Sequence, residues 1–253
     1  MKVSIITSTL NSRKYIEACI GSVLNQTYRD IEYIIIDGGS SDGTLDVIKR
    51  YENKICRWIS QKDNGVYDAM NKGLEIAKGD IVGFLNSDDI YASQDVIEKI
   101  VNCIKENNVD SCYGNVVYVD RDDIARVVRY WVSDDFSKDR FKFGWMPPHP
   151  SFFVKRSVYE EHGFFDTSFK IAADYEIMLR FLYKHGVSTC CIPQILVKMR
   201  NRGLSNKNIA NIITANMECF RAWKKNNLKP RWFTVIFKVL FKIFQFKQFR
   251  DRI

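Results

Sequence analysis

The sequence predicts an α/β protein in which a mostly parallel central sheet is flanked by helices. Over the first hundred residues, short β-rich runs alternate with segments of helical periodicity, as consecutive βαβ units require. Polar loops follow each of the first four predicted strands, and the carboxyl ends of an open parallel sheet lie along one edge. With 253 residues at 46% hydrophobic content, the chain is long enough for one sizeable core, and its 5 Pro and 13 Gly exclude collagen-like composition.

Residues 3–7 form the first predicted strand, after which Ser12 is placed to cap a helix with Tyr15, Cys19, Ile20, Val23 and Leu24 on its apolar side. Further strands are predicted at 31–36, 55–59 and 81–85, with helices at 45–51, 66–77 and 96–105. Two β-rich segments follow, 111–119 and 125–131. The second half is less regular. It holds the rigid loop WMPPHP at 145–150, a strand at 151–154 and a short helix around Tyr159. An amphipathic helix then opens at IAADYE, 171–176, and continues through Leu179, Leu182 and Tyr183.

The net charge is +8, and its location matters more than its size. Nine Lys or Arg against the single acid Asp251 lie from Lys224 onward, leaving 29 basic and 29 acidic residues before them. A neutral body with a basic tail argues against nucleic-acid binding. In that tail Arg231, Thr234, Lys238, Lys242, Gln245 and Arg252 share one helical stripe opposite a Trp- and Phe-rich face. Lys238 and Lys242 interrupt any apolar run approaching the ~20 residues a spanning helix needs. An interfacial helix on an anionic membrane surface fits this pattern, with a homodimer or partner-binding helix as the competing reading. The expected organisation is a body of 1–223, with halves 1–110 and 111–223, and a basic amphipathic tail at 224–253. Seven cysteines without a CxxC pair are expected to be buried, reduced thiols.

The stretch GFLNSDD, 83–89, ends an apolar strand on two adjacent carboxylates. Their repulsion must be relieved by a metal ion, a basic partner or solvent. DGGSSDGT, 37–44, is a glycine-bearing turn with exposed backbone N–H groups, but it is neither a G-x-G-x-x-G fingerprint nor a Walker A motif. Together with loops 7–11, 61–65 and 86–89 it converges on one crevice. Asp174 and Glu176 stand in the first turn of a predicted helix, where its dipole also favours acids. His149 lies between prolines, its imidazole able to meet a phosphate or a metal. His162 and His185 read as residues of helix ends.

Taken together, VSIITSTLN, YIIIDGGSSDGT, QKDNGVYDAMNKG, FLNSDD and GFFDTSFKIAADYEIMLRF resemble the inverting glycosyltransferases of family 2, over about residues 3–205. The resemblance implies the GT-A fold, with a Rossmann-like sheet, and a nucleotide-diphosphate sugar as donor, expected to be a UDP-sugar. It implies that Thr7, Thr9, Asn11 and Asp37 hold the nucleoside, and that Asp63, Asn71 and Lys72 line the pyrophosphate region. Asp89 is then the expected ligand of Mg²⁺ or Mn²⁺, and Asp88 a ribose or donor contact. Because Ser87-Asp88-Asp89 departs from the usual two acids separated by one residue, that division stays open. Asp174 matches the general base. Glu176 and Trp145 are candidate acceptor contacts, and His149, Arg200 and Arg202 candidate diphosphate or metal contacts.

Members of this type add sugars to lipid-linked precursors of bacterial surface polysaccharides, so a glycan acceptor, lipid-linked, is expected. Met1-Lys2 leads into a strand without a signal-peptide pattern, which gives a cytoplasmic chain, peripheral on the inner membrane's cytoplasmic face. The chemistry makes matching demands: a divalent cation for the departing diphosphate, and one carboxylate for the acceptor proton. A non-catalytic membrane scaffold retaining the fold is the competing class, and the intact Asp89 and Asp174 argue against it. Sugar nucleotidyl transfer would need a glycine-rich phosphate loop with a basic end near the N-terminus, and the chain has none.

Overall fold

The structure is a computed structural model that describes residues 1–201 and 209–229. Strand β1 (Val3–Thr9) is buried along its whole length and is flanked in parallel by β2 (Ile31–Asp37) and β4 (Ile81–Phe84), with β3 (Arg57–Ser60) parallel outside β2. Burial on both faces explains the apolar run Tyr33–Ile36 of β2, while β1 buries the small polar residues Ser4, Thr7, Ser8 and Thr9 beside Val3, Ile5 and Ile6. Their alternation still sorts the side chains. Ile5, Tyr33 and Ile35 pack with α1 (Ile16–Leu24) and α4 (Val96–Glu106), whereas Ile6, Ile34 and Ile36 pack with α3 (Val66–Ile76). Helix α2 (Thr44–Arg50) follows β2.

A mostly parallel sheet describes only this first half. The short strand β8 (Phe153–Lys155) inserts antiparallel between β4 and β6 (Ser111–Val119), and β9 (Thr189–Arg200) runs parallel to β6. Strands β5 (Ile90–Tyr91) and β7 (Val127–Trp131) pair antiparallel with β9 and β6. The order is β3-β2-β1-β4-β8-β6-β9-β5 with β7 beside β6, so pairings among the described residues divide evenly, four parallel and four antiparallel. The sheet is mixed because β8 returns from a long excursion to take the free edge of β4. Gly83 admits it: a Cβ there would stand 2.2 Å from the Phe153 ring.

The remaining elements are α5 (Lys138–Lys142), α6 (Arg156–His162), α7 (Ala173–Met178) continued by a π-helical turn (Leu179–Lys184), and α8 (Ile209–Lys225). The predicted strand at 151–154 is a 3-10 turn (His149–Ser151) followed by β8. Ser12 does not cap α1 through its side chain. Its carbonyl accepts the Ile16 N–H at 3.0 Å, while its hydroxyl meets Ser87 Oγ at 2.8 Å. The expected boundary after residue 223 falls inside α8, whose end is packed into the body: Asn226 Nδ2 donates to Glu176 Oε1 at 2.9 Å. The tail stripe from Arg231 onward and its amphipathic helix lie outside the described residues. Among the described residues no helix is long and apolar enough to cross a membrane. All seven cysteines are free thiols; Cys56 is exposed rather than buried, Cys190 and Cys191 fill β9, and burial pushes the Cys19 thiol up to about 12.

Candidate active site

The loops after β1 and β2 are knitted together by two side chains. Asp37 ends β2 opposite Thr9 and is fully buried. Its Oδ2 accepts the N–H groups of Gly39 (3.1 Å) and Ser40 (3.0 Å) and the hydroxyl of Ser60 (2.7 Å), while Oδ1 accepts the Ser40 hydroxyl. Gly39 turns at φ 91°, a left-handed conformation that favours glycine. Asn11 accepts the Ser41 N–H on Oδ1 at 2.9 Å and donates its own N–H to Ser40 Oγ at 2.7 Å. Thr7 lies beneath these loops against the Tyr33 hydroxyl at 3.2 Å. Thr9 Oγ1 is buried without a hydrogen-bond partner among the described residues. Buried hydroxyls are normally paired, so this one is open to a ligand's donor or acceptor.

In the next loop Asp63 Oδ1 accepts the Gly65 N–H at 2.9 Å, and its carboxylate occupies the space a Cβ of Gly38 would need. Lys72 reaches Asp68 at 3.1 Å and the Lys62 carbonyl at 3.4 Å. Asn71 is a bracket between the two halves of the molecule: its amide donates to the Phe165 carbonyl (2.8 Å) and accepts the Phe165 N–H (3.0 Å).

The acidic turn after β4 is asymmetric. Asp89 is only 1% exposed, Oδ2 accepting from the Asn86 amide and Oδ1 from the Arg200 N–H, both at 3.1 Å. Burial, and then the charge of Asp88, hold the Asp89 carboxyl well above the usual carboxylate range. Asp88 is less buried than Asp89. Arg200, at the end of β9, donates from Nη1 to the Asp88 carbonyl (2.6 Å) and from Nε to the Arg121 carbonyl (3.0 Å), with its guanidinium 4.9 Å from the Tyr15 ring. Arg202 lies outside the described residues. Among the described residues no three His, Cys, Asp or Glu side chains are grouped to hold a metal by themselves. One or two carboxylates suffice for a Mg²⁺-type ion that completes its shell with substrate phosphates and water, and the acidic turn fits that donor set.

Across the crevice, Asp174 stands in the first turn of α7. Its Oδ1 accepts the Tyr175 N–H at 2.8 Å and lies 3.4 Å from the Tyr67 hydroxyl, which donates to the Ile171 carbonyl at 2.7 Å. Its Oδ2 is 3.1 Å from His149 Nδ1. The segment entering α7 is fixed by Glu218 of α8, a buried carboxylate that accepts the N–H groups of Lys170 (2.8 Å), Ile171 (2.9 Å) and Ala172 (2.9 Å). Trp223 of the same helix donates to the Tyr175 hydroxyl at 2.8 Å. Nothing in the sequence pointed to Glu218, because one acid in an amphipathic helix carries no spacing signal.

Two expectations on the acceptor side give way. Glu176 is 3% exposed, with its carboxylate taken by Arg180 (2.9 and 3.0 Å) and Asn226, so it braces α7 against α8 rather than facing an acceptor. Trp145 is buried among Tyr113, Phe136 and Phe141. The aromatic side chain beside Asp174 is Tyr67, while Trp131, stacked on Tyr118 at 6.3 Å, meets the His149 ring edge-on at 6.0 Å. Burial raises the Tyr118 hydroxyl; the Arg129 guanidinium 3.6 Å over its ring opposes this, and the charges of Asp89 and then Asp174 raise it. His162 and His185 stack on each other at 4.1 Å, at the ends of α6 and of the π-helical turn.

The profile described as Glycosyl transferase family 2 matches residues 4–172. The PGL/p-HBAD biosynthesis glycosyltransferase of Mycobacterium bovis (strain BCG / Pasteur 1173P2) is 31% identical over 208 residues, 80% of this chain and 78% of that protein. Among solved structures, S. aureus TarS 1–349 in complex with UDP-GlcNAc is similar at a TM-score of 0.69 and 18% identity, covering 89% of this chain and 65% of that one. The mannosyltransferase PcManGT from Pyrobaculum calidifontis, in complex with GDP-Man and Mn²⁺, gives 0.64 at 19% identity, covering 89% and 67%. At such identities the solved structures establish a shared fold, while the profile and the mycobacterial relative establish descent. With a mixed α/β sheet related to GT-A and two braced carboxylate sites, the chain belongs to glycosyltransferase family 2.

Proposed function

We propose that the protein transfers a sugar, with inversion at the anomeric carbon, from a nucleotide-diphosphate sugar to a hydroxyl of a lipid-linked glycan in surface-polysaccharide biosynthesis. A UDP-sugar is the first donor to test. The observation that carries this reading is the presence of two carboxylate sites with different surroundings, the acidic turn after β4 held by Asn86 and Arg200, and Asp174 on α7 beside Tyr67 and His149. The UDP-GlcNAc and GDP-Man–Mn²⁺ complexes of the structural relatives support the donor class and the metal.

Asp88 is the residue we assign to Mg²⁺ or Mn²⁺. Asp89, expected as the ligand, is buried with both oxygens accepting hydrogen bonds, and so serves to lock the turn to β9. Bound at the turn, a divalent cation would neutralise the departing diphosphate. Thr9, Asn11 and Asp37 shape the nucleoside side, and Asp63 and Lys72 border the pyrophosphate. Asp174 takes the acceptor hydroxyl's proton as that oxygen attacks the anomeric carbon, and the electron pair of the breaking bond leaves with the nucleotide.

The basic tail is assigned to an anionic membrane surface, which places the enzyme peripherally on the cytoplasmic face; a homodimer helix is the second reading of the same residues. Mass spectrometry of products from a panel of nucleotide sugars and lipid-diphosphate saccharides tests the whole proposal. Product anomeric configuration opposite to that of the donor is expected, and retention would overturn the mechanism.

A further inference from the structure

His149 was expected at the diphosphate or the metal, and in the structure its Nδ1 lies 3.1 Å from Asp174 Oδ2. A lone pair on Nδ1 would repel a carboxylate oxygen at this distance. Attraction requires the ring proton to sit on Nδ1. Both groups are held from independent directions. The turn bearing His149 is pinned by the Ser151 hydroxyl, which donates to the Gly114 carbonyl of β6 at 2.7 Å, and Trp131 of β7 meets the imidazole edge-on. Asp174 is held by Tyr67 from α3 and, through residues 170–172, by Glu218 from α8. Their side chains keep 29% and 22% exposure, so a substrate can reach the pair while most of the ring and carboxylate is out of water.

We infer that His149 is the positioning partner of Asp174: at ion-pair distance, with its proton on Nδ1, it holds the carboxylate's orientation before the acceptor arrives. This rests on the reading of Asp174 as the general base. During transfer the acceptor's proton moves to Asp174, the acceptor oxygen bonds to the anomeric carbon, and the sugar–diphosphate bond breaks with its electron pair on the nucleotide. His149 keeps its proton throughout. Other titratable or charged groups near the pair are Tyr67 from α3 and Tyr118 from β6, with Arg129 of β7 over the Tyr118 ring at 3.6 Å.

The first test needs no substrate. The chain has three histidines, so the imidazole NMR signals of His149 are those that disappear in H149N. Asp174→Asn should lower the His149 pKa, the effect of removing an adjacent opposite charge. An unchanged titration overturns the pairing whether or not the protein is active. The second test reads transfer by the full chain with Mn²⁺, using the nucleotide sugar and lipid-linked acceptor that give turnover. H149A should lower kcat by ~10-fold or more, with UDP affinity within about twofold. H149N should restore most of the loss, since its amide N–H replaces that on Nδ1. Weakened UDP or Mn²⁺ binding with kcat unchanged would place His149 on the diphosphate and overturn the inference. Absence of transfer by the unmodified protein with every donor would instead count against glycosyl transfer, and the NMR titration would still decide the pairing.

Discussion

The loops after β1, β2 and β3 are joined by bonds between residues 23 to 30 positions apart, such as Ser60 to Asp37 and Ser41 to Asn11. The segment bearing Asp174 is held by partners much further along the chain, Glu218 at 46 to 48 positions from the N–H groups it accepts and Tyr67 at 107 from Asp174. The proposed nucleoside side, built from successive strand ends, is a local construction, whereas the acidic turn is tied to Arg200, 111 and 112 positions away. The segment bearing Asp174 is likewise assembled by tertiary structure, so a change in α8 should reach the proposed base without touching the nucleotide.

The largest effects should separate the two sides. Asp174→Asn is expected to lower transfer by ~100-fold or more while leaving UDP affinity nearly intact, as loss of a group acting in the transition state requires. Asp88→Asn should cost a similar ~100-fold and weaken Mn²⁺ binding as well. Calorimetry and turnover on the same preparations distinguish them. Equal loss of Mn²⁺ affinity in Asp89→Asn and Asp88→Asn would return Asp89 to the metal.

A smaller effect tests the long-range clamp. Glu218→Gln should lower kcat ~10-fold with donor KM unchanged, and reduce stability by about 1–3 kcal/mol, because an amide N–H now faces backbone donors. A parallel rise in donor KM would show that the two sides are not separable in this way.

Smaller again is the pH dependence contributed by Asp89. Its carboxyl titrates higher in the folded protein than in the unfolded chain, so the folded state binds the extra proton. Its contribution therefore favours folding at acidic pH and is lost as pH rises through the raised value. The difference in chemical denaturation between the unmodified protein and Asp89→Asn, measured in chelator, should shrink as pH falls through that window; a pH-independent difference would remove Asp89 from the account.

The last substitution should leave chemistry untouched. Since Leu228 N–H donates to the Trp223 carbonyl at 2.8 Å, truncation belongs after Lys229. The shortened chain should turn over a soluble acceptor normally but no longer sediment with anionic vesicles. Unchanged vesicle binding with loss of self-association by light scattering would favour the dimer helix.

The sequence by itself determined the donor half. Strands near residues 3–9, 31–37 and 81–84 follow from apolar runs, and the loops after them from glycine, serine and aspartate at strand ends, because these signals act between chain neighbours. Asp37 and Asn11 fell where those rules placed them. Motif likeness also supplied Asp174, though not its surroundings. Tertiary structure alone decided that β8 would enter antiparallel beside Gly83, turning a parallel sheet into a mixed one. It also decided that Asp89 rather than Asp88 would be buried, that Glu176 would pair with Arg180, and that Trp145 would join the core. Each outcome depends on which distant segment occupies the space around a side chain, and hydrophobic period and local propensity hold no record of that partner. For a carboxylate, that neighbourhood sets whether it is desolvated, paired or left free to take up a ligand.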